Sequence, residues 1–127
     1  MIGHFNRLTP AELERLAILS EECGEVQQII GKILRHGYES HNPTVAVAEG
    51  SNPIQNRWLL ENELGDLLWA IGSMVAQHDI NEGRIDAAFK AKGLRAQKYL
   101  HHQPVKHETA SCCGGVGCNS CEPQGRG

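Results

Sequence analysis

The sequence predicts an all-α fold, a helical bundle with about three main helices in each chain. Three long segments carry apolar residues at helical spacing, and the Asn-Pro and Gly-Ser pairs typical of a loop lie between the first two segments. The chain has 127 residues, of which 40% are hydrophobic, so it is long enough for one modest core but too short for two full domains.

The first helix is predicted to run from Pro10 to about His36. Thr9 is a suitable N-cap, Pro10 takes the first helical position, and Glu12 is placed to complete a capping box. A cationic last turn and Gly37 end the segment. The apolar stripe of this helix consists of Leu13, Leu16, Leu19, Cys23, Val26, Ile30 and Ile33.

Residues 38–55 favour a long loop, because they hold two Asn-Pro pairs and Gly50 around the short apolar run 45–47. A second helix is predicted from about Arg57 to His78, and it is the most apolar segment of the chain. Its stripe consists of Leu60, Leu64, Leu67, Ile71 and Met74.

A third helix of about twenty residues is predicted after Asn81, with Pro104 ending it. Its inward-facing residues are expected to be Ile85, Phe89, Ala96 and Leu100. No periodicity continues beyond this point. The expected organisation is therefore a helical domain over residues 1–104, followed by a Cys- and Gly-rich tail over residues 105–127 that is expected to be disordered.

Four cysteines crowd this tail and allow two interpretations. Their thiolates could bind zinc, with His107 as a spare ligand. However, all four lie within ten glycine-rich residues, whereas structural zinc sites usually join two separated pairs of ligands. Disorder with labile thiols is the favoured interpretation, and metal binding stays open for Cys112, Cys113, Cys118 and Cys121.

Composition excludes several classes of partner. The formal net charge is -3, and the 12 basic residues are spread among 15 acidic ones, so duplex nucleic acid is not an expected partner. No apolar run approaches the roughly 18 residues of a membrane span, and the first residues do not resemble a signal peptide. A cytoplasmic protein without a membrane partner is the expectation.

The chemistry is predicted by an acidic pattern that occurs once in each long helix. Glu22 and Glu25 lie three residues apart in the first helix, and Glu63 and Asp66 repeat that spacing in the second. Each pair falls on the flank of an apolar stripe, so packing the two stripes together brings four carboxylates to one rim. Carboxylate oxygens without a nearby histidine suit Mg²⁺, or Mn²⁺, as the cofactor.

A single Glu-x-x-Glu pair is usually solvated surface, and for one helix that interpretation would be preferred. Two pairs at matching positions, beside Gly24 and Gly65, favour a metal site instead. These glycines disfavour a helix, and they are explained if they permit close helix approach or leave room for a phosphate. A di-iron carboxylate site is not indicated, because neither segment contains Glu-x-x-His.

The pattern Glu21-Glu22-x-x-Glu25, followed by Glu63-x-x-Asp66, resembles the signature of the MazG-type all-α nucleoside triphosphate pyrophosphohydrolases over about residues 10–100. The resemblance implies a helical bundle completed by homo-oligomerisation, as a dimer or tetramer. It also implies Mg²⁺-dependent hydrolysis of (d)NTPs, with non-standard nucleotides among them, to the monophosphate and pyrophosphate by water attack on the α-phosphorus.

The resemblance also suggests roles for individual residues. Glu25, Glu63 and Asp66 are expected to hold the metal, and Glu22 is either a fourth ligand or the acceptor of the proton from water. Lys32 stands where the family usually has a lysine, and Lys92 and Lys98 resemble its basic third-helix ending, so these three are expected to contact substrate phosphate. For Lys92 and Lys98 a solvated surface cation is an equal alternative.

Two alternatives stay open at this point. The chain could be a non-catalytic helical module that binds metal or nucleotide, or, within the enzyme class, a phosphoribosyl-ATP pyrophosphatase.

Trp58 and Trp69 are expected in a core or subunit interface, with Trp58 the better placed of the two to stack on a nucleobase. Cys23 is expected to be a small buried hydrophobe. The long loop 38–55 departs from the family pattern and leaves the preferred substrate open.

Overall fold

A computed structural model describes residues 5–102 of the chain. It contains three α-helices, α1 (Pro10–His36), α2 (Asn56–Ala76) and α3 (Glu82–Ala96), and α3 is followed by a 3-10 turn over Gln97–Tyr99. The described part of the chain has no β-strand and contains one isolated bridge, between His41 and Gln55. The predicted all-α class is confirmed. The tail over residues 105–127, including its four cysteines, lies outside the described residues.

Helix α1 begins and ends as its sequence predicts. The Glu12 amide donates to Thr9 Oγ1 at 3.2 Å and the Thr9 amide donates to Glu12 Oε2 at 2.6 Å, which completes the capping box. At the other end the Gly37 amide donates to the carbonyl of Ile33 at 2.7 Å. Gly37 has φ of +86°, a conformation that favours glycine, so the chain turns out of the helix there.

Helices α1 and α2 pack against each other. On each helix the residues of the packed face are alternately four and three positions apart, which is typical of two helices that face each other. Their side chains are buried or half-buried. The faces consist of Arg15, Leu19, Glu22, Val26, Ile29 and Ile33 on α1, and of Asn56, Leu60, Glu63, Leu67, Ala70 and Met74 on α2.

This arrangement corrects the stripe predicted for α1. Cys23, expected to be buried, is exposed, and Ile30 is 42% exposed, whereas Ile29 is 4% exposed. At about 100° per residue, the packed face is rotated about the axis of α1 by about 60° from the predicted apolar stripe, towards Glu22. The prediction was wrong because it left the charged positions out of the packed face.

Two helix ends also differ from the prediction. Helix α2 ends at Ala76, before His78 adopts a φ of +61°, and the third helical segment ends at Tyr99, well before Pro104.

Helix α3, taken by itself, has no buried residue, and its Phe89 is 68% exposed. Of the residues expected to face inward, Ile85, Phe89 and Leu100 are exposed and Ala96 is half-buried. Apolar periodicity identifies an amphipathic helix but not the surface that covers it.

The loop over residues 38–55 is closed at its base by hydrogen bonds, and the predicted long loop is confirmed. The amide of Asn56 donates to the Ser40 carbonyl at 2.8 Å, and the amide of Arg57 donates to the Tyr38 carbonyl at 2.9 Å. The buried Asn56 side chain adds a third bond, from Nδ2 to the Gly37 carbonyl at 3.0 Å. These bonds fix the end of α1 against the start of α2.

The opposite ends of α1 and α2 are joined by an ion pair. Arg15, near the start of α1, donates through Nε and Nη2 to the two carboxylate oxygens of Asp79, at 2.5 and 2.8 Å. Both side chains are mostly buried, at 19% and 11% exposure. The two helices are therefore antiparallel and are held together at both ends. No helix within residues 5–102 is long and apolar enough to cross a membrane.

Candidate metal centre

The four predicted acids lie at mid-length on the two packed helices. Glu22 and Glu63 occupy positions within the packed faces and are half-buried, whereas Glu25 and Asp66 lie one turn further along at the edge and are exposed. Each pair thus combines one inner and one outer carboxylate. This differs from the expectation that both members of a pair would lie on the flank of the buried face.

Three of these acids converge. A carboxylate oxygen from each of Glu22, Glu63 and Asp66 lies within 4.8 Å of the others, which is close enough for one metal ion to bind all three. Glu25 is not one of these three, but it lies close enough to Glu63 to raise the pKa of the Glu63 carboxyl. The structure thus brings three of the four predicted acids together at one point, with Glu25 beside Glu63.

Burial, together with the proximity of like charges, raises the pKa of both inner carboxyls above the ordinary value. For Glu22 the main cause is burial, followed by the negative charges of Glu25, Asp66 and Glu21. For Glu63 burial is again the main cause, followed by the hydrogen bond with Glu25 and by the neighbouring charges. Both effects disfavour the charged carboxylate. A cation placed among the acids would reverse this preference.

One atom of the group fits a cation in particular. Glu22 Oε2 is buried and has no hydrogen-bond partner among the described residues. A buried acceptor without a partner is unfavourable, and a metal ion would provide the missing contact. All available donors are carboxylate oxygens, which suit the hard cations Mg²⁺ and Mn²⁺. The residues present therefore fit a divalent metal.

Comparison with known families supports this description. A family model for the MazG nucleotide pyrophosphohydrolase domain matches residues 11–99, which span nearly all of the three helices and the 3-10 turn. The chain belongs to the MazG nucleotide pyrophosphohydrolase family. No curated protein and no solved structure gives a significant match. Membership indicates a hydrolase that acts on nucleotides and uses a metal ion, and it confirms the resemblance first drawn from the acidic residues.

The glycines beside the acids are not needed for packing within this MazG domain. Apart from its chain neighbours and the nearby backbone of its own helix, a Cβ atom added to Gly24 or Gly65 would meet no atom of the described chain within 4 Å. Close approach of α1 and α2 therefore does not explain either glycine. The sequence analysis offered a second explanation, that the glycines leave room for a phosphate beside the acids. That explanation stays open.

The three lysines expected to contact phosphate have different surroundings. Lys32 is half-buried and lines a cavity of about 490 Å³ at the end of α1, together with Arg35, His36 and His41. On α1 it lies about 20° from the direction of Glu25 and about 10 Å further along the axis, so the two residues share one flank. Lys92 on α3 and Lys98 in the 3-10 turn are exposed.

Both tryptophans of the MazG domain are exposed, Trp58 to 61% and Trp69 to 65%. The expectation that they lie in the core of the chain is therefore wrong, while a subunit interface or a ligand contact stays open.

Sequence reasoning missed the ion pair between Arg15 and Asp79 and the buried Asn56. The available indication was spacing, since Arg15 and Asn56 continue the alternation of four and three residues on their helices.

Proposed function

We propose that this MazG domain hydrolyses nucleoside triphosphates, deoxy and non-standard ones included, to the monophosphate and pyrophosphate with Mg²⁺ or Mn²⁺ as cofactor. The observation that supports this proposal best is the convergence of acids from two helices on one point. Family membership supplies the reaction class, and the acids supply the charge that a metal-bound triphosphate requires. Water attack on the α-phosphorus gives these products.

Each acid has a proposed role. Glu25, Glu63 and Asp66 would hold the metal, which when bound would neutralise phosphate charge and favour attack by water. Glu22 is the fourth ligand or the group that accepts the proton of the attacking water at Oε2, the oxygen that lacks a partner.

We also assign Lys32, Lys92 and Lys98 to substrate phosphate. The position of Lys32 on the flank of Glu25 supports its assignment, since a long cationic side chain there can reach towards an anion beside the acids. For Lys92 and Lys98 the support is their resemblance to the basic third-helix ending of the family.

The first experiment measures pyrophosphate release from ribo-, deoxyribo- and modified triphosphates, and from phosphoribosyl-ATP, with Mg²⁺ or Mn²⁺. Glu63→Gln and Asp66→Asn should abolish release because each removes a charged ligand while keeping the shape of the side chain. Glu61→Gln is the matched control, because Glu61 is an exposed acid on the same helix that lies outside the metal group. Loss of activity in all three variants, or in none, would contradict the assigned site.

The same panel separates the enzyme from a binding module. A thermal-shift measurement with Mg²⁺ and a non-hydrolysable triphosphate reports binding without turnover. Stabilisation by the analogue, together with no pyrophosphate from any substrate, would replace the enzyme with a module that senses metal or nucleotide. Preferential hydrolysis of phosphoribosyl-ATP would instead change the substrate within the enzyme class.

We further propose that the chain acts as a homo-oligomer, a dimer or a tetramer. The single chain buries few side chains: among described residues, the buried apolar ones are Ile29, Ala70 and Met74. Large apolar side chains are exposed on all three helices, with Leu34, Leu68 and Phe89 at 81%, 69% and 68% exposure. Exposed apolar surface on this scale is typical of subunit interfaces.

A further inference from the structure

The loop between α1 and α2 surrounds a cavity of about 370 Å³. Its wall is mainly apolar and includes Val45, Val47, Ile54 and Leu59. Four polar residues also line it, and two of them, His41 and Asn52, bring an imidazole and a side-chain amide to the wall. An apolar pocket of this size with a few polar groups is typical of a site for a small organic ring.

The base of this loop is well anchored. Backbone hydrogen bonds join Tyr38 to Arg57 and Ser40 to Asn56, and His41 pairs with Gln55 in the isolated bridge. The Arg57 guanidinium also lies 4.6 Å from the centre of the Tyr38 ring. The walls of the cavity therefore start from fixed positions on the two helices that carry the acids.

Leu59 connects the cavity to the acids. It lies on α2 one turn, about 6 Å, before Glu63. At about 100° per residue, Glu63 projects about 40° to one side of Leu59 and Asp66 about 20° to the other. A molecule that contacts Leu59 in the cavity thus lies on the same side of α2 as these two acids, about 6 Å before Glu63 and about 10 Å before Asp66 along the helix axis.

We propose that this cavity binds the nucleobase of the triphosphate substrate and that the loop determines which base is accepted. The proposal rests on the function proposed above. In a nucleotide one sugar separates the α-phosphate from the base, so phosphate at the acids places the base about one sugar away. The apolar wall receives the faces of the ring, while His41 and Asn52 contact its polar edge.

Trp58 offers a different surface for the base. It lines a second cavity, which shares Ser51, Asn52 and Pro53 with the first, and it is 61% exposed. However, it projects about 100° away from Leu59, and therefore away from the direction of Glu63 and Asp66. The loop cavity is the better placed of the two, and a Trp58 variant distinguishes them.

The test fills the cavity and compares substrates with and without a base. Ala46 lines the cavity, whereas Glu49 lies in the same loop but outside its wall, so Ala46→Phe and Glu49→Phe introduce the same ring at matched positions. Kinetics are measured with the best nucleoside triphosphate of the panel and with ribose 5-triphosphate, which lacks a base. Asn52→Leu and Trp58→Ala complete the set.

We expect Ala46→Phe to raise KM for the nucleoside triphosphate about tenfold or more, because blocking the pocket removes the base contacts. Its hydrolysis of ribose 5-triphosphate should stay within about twofold of the native chain, and Glu49→Phe should leave both substrates unchanged. Asn52→Leu should change the ratio of kcat/KM between bases. An unchanged KM in Ala46→Phe, or a KM that rises only in Trp58→Ala, would overturn the proposal.

Failure of the proposed function is recognised separately. If the native chain hydrolyses nothing, nucleoside triphosphate affinity is measured by calorimetry in the native chain, Ala46→Phe and Glu49→Phe. Affinity lost only in Ala46→Phe supports the base site without catalysis. Equal affinity in all three, or no binding at all, rejects it.

Discussion

Replacing Asn56 by alanine tests how the loop is closed. The Asn56 side chain is 5% exposed and donates from Nδ2 to the Gly37 carbonyl at 3.0 Å. Loss of such a hydrogen bond lowers stability by about 1 kcal/mol. Water can reach the carbonyl afterwards because Gly37 is exposed, so the larger penalty for a buried unsatisfied acceptor does not apply. The vacated space beside α1 adds a smaller loss, and we expect about 1–2 kcal/mol in total.

The assay is urea unfolding followed by circular dichroism, with thermal melting as a second measure. A domain of this size should melt about 4–8 °C lower for each kcal/mol lost. Asn62→Ala is the matched control, because Asn62 is exposed on the same helix, and we expect it to stay within about 0.5 kcal/mol of the native chain. If Asn56→Ala unfolds at the same urea concentration as that control, Asn56 does not tie the two helices together and the reasoning is refuted.

Further predictions concern the metal group, the ion pair and the oligomer. Mg²⁺ should raise the melting temperature of the native chain by more than that of Glu63→Gln; equal shifts would place the metal elsewhere. Because the pKa values of Glu22 and Glu63 are raised, their contribution to metal-free stability is fully present below the ordinary value of 4.5 and is lost as the pH rises through the raised values. In EDTA, Glu63→Gln should therefore melt above the native chain at pH 7, with the difference vanishing near pH 4; a difference that is constant with pH would contradict this. The pKa of Asp79 is lowered by its hydrogen bonds with Arg15, so Asp79→Asn should lower the melting temperature at pH 7 and have less effect as the pH falls through the lowered pKa. Leu68→Asp should reduce the mass measured by light scattering to that of one chain; an unchanged mass would exclude this side chain from the interface.

The sequence was sufficient to predict the main features of the fold. The capping residues Thr9 and Glu12 and the glycine at position 37 gave the bounds of α1, because each acts within one helical turn. The second helix was placed within two residues at each end. Three of the four acids predicted from the sequence, Glu22, Glu63 and Asp66, lie together in the structure, since repetition at equal spacing on two amphipathic helices depends only on helical geometry.

Other features depend on contacts that spacing alone does not reveal. The packed face of α1 was misplaced because Arg15 and Glu22 are charged, and it takes the facing helix to show that both point into it. Arg15 pairs with Asp79, a partner 64 residues away in the sequence. The outward exposure of Phe89 could not be predicted, because periodicity identifies an apolar stripe without identifying what covers it.

The ion pair of Arg15 with Asp79 has a consequence for how the candidate metal centre would exchange its ion. An antiparallel pair of helices joined by one loop would open most readily from its free end, where the chain is not continuous. Here that end is held by two charge-assisted hydrogen bonds, while the other is held by the loop. We therefore expect the carboxylate on α1 to stay close to those on α2 even when the repulsion between them is not neutralised. Slow amide hydrogen exchange at mid-helix, with or without Mg²⁺, would be the sign of a centre that survives each departure of its ion and accepts the next without refolding.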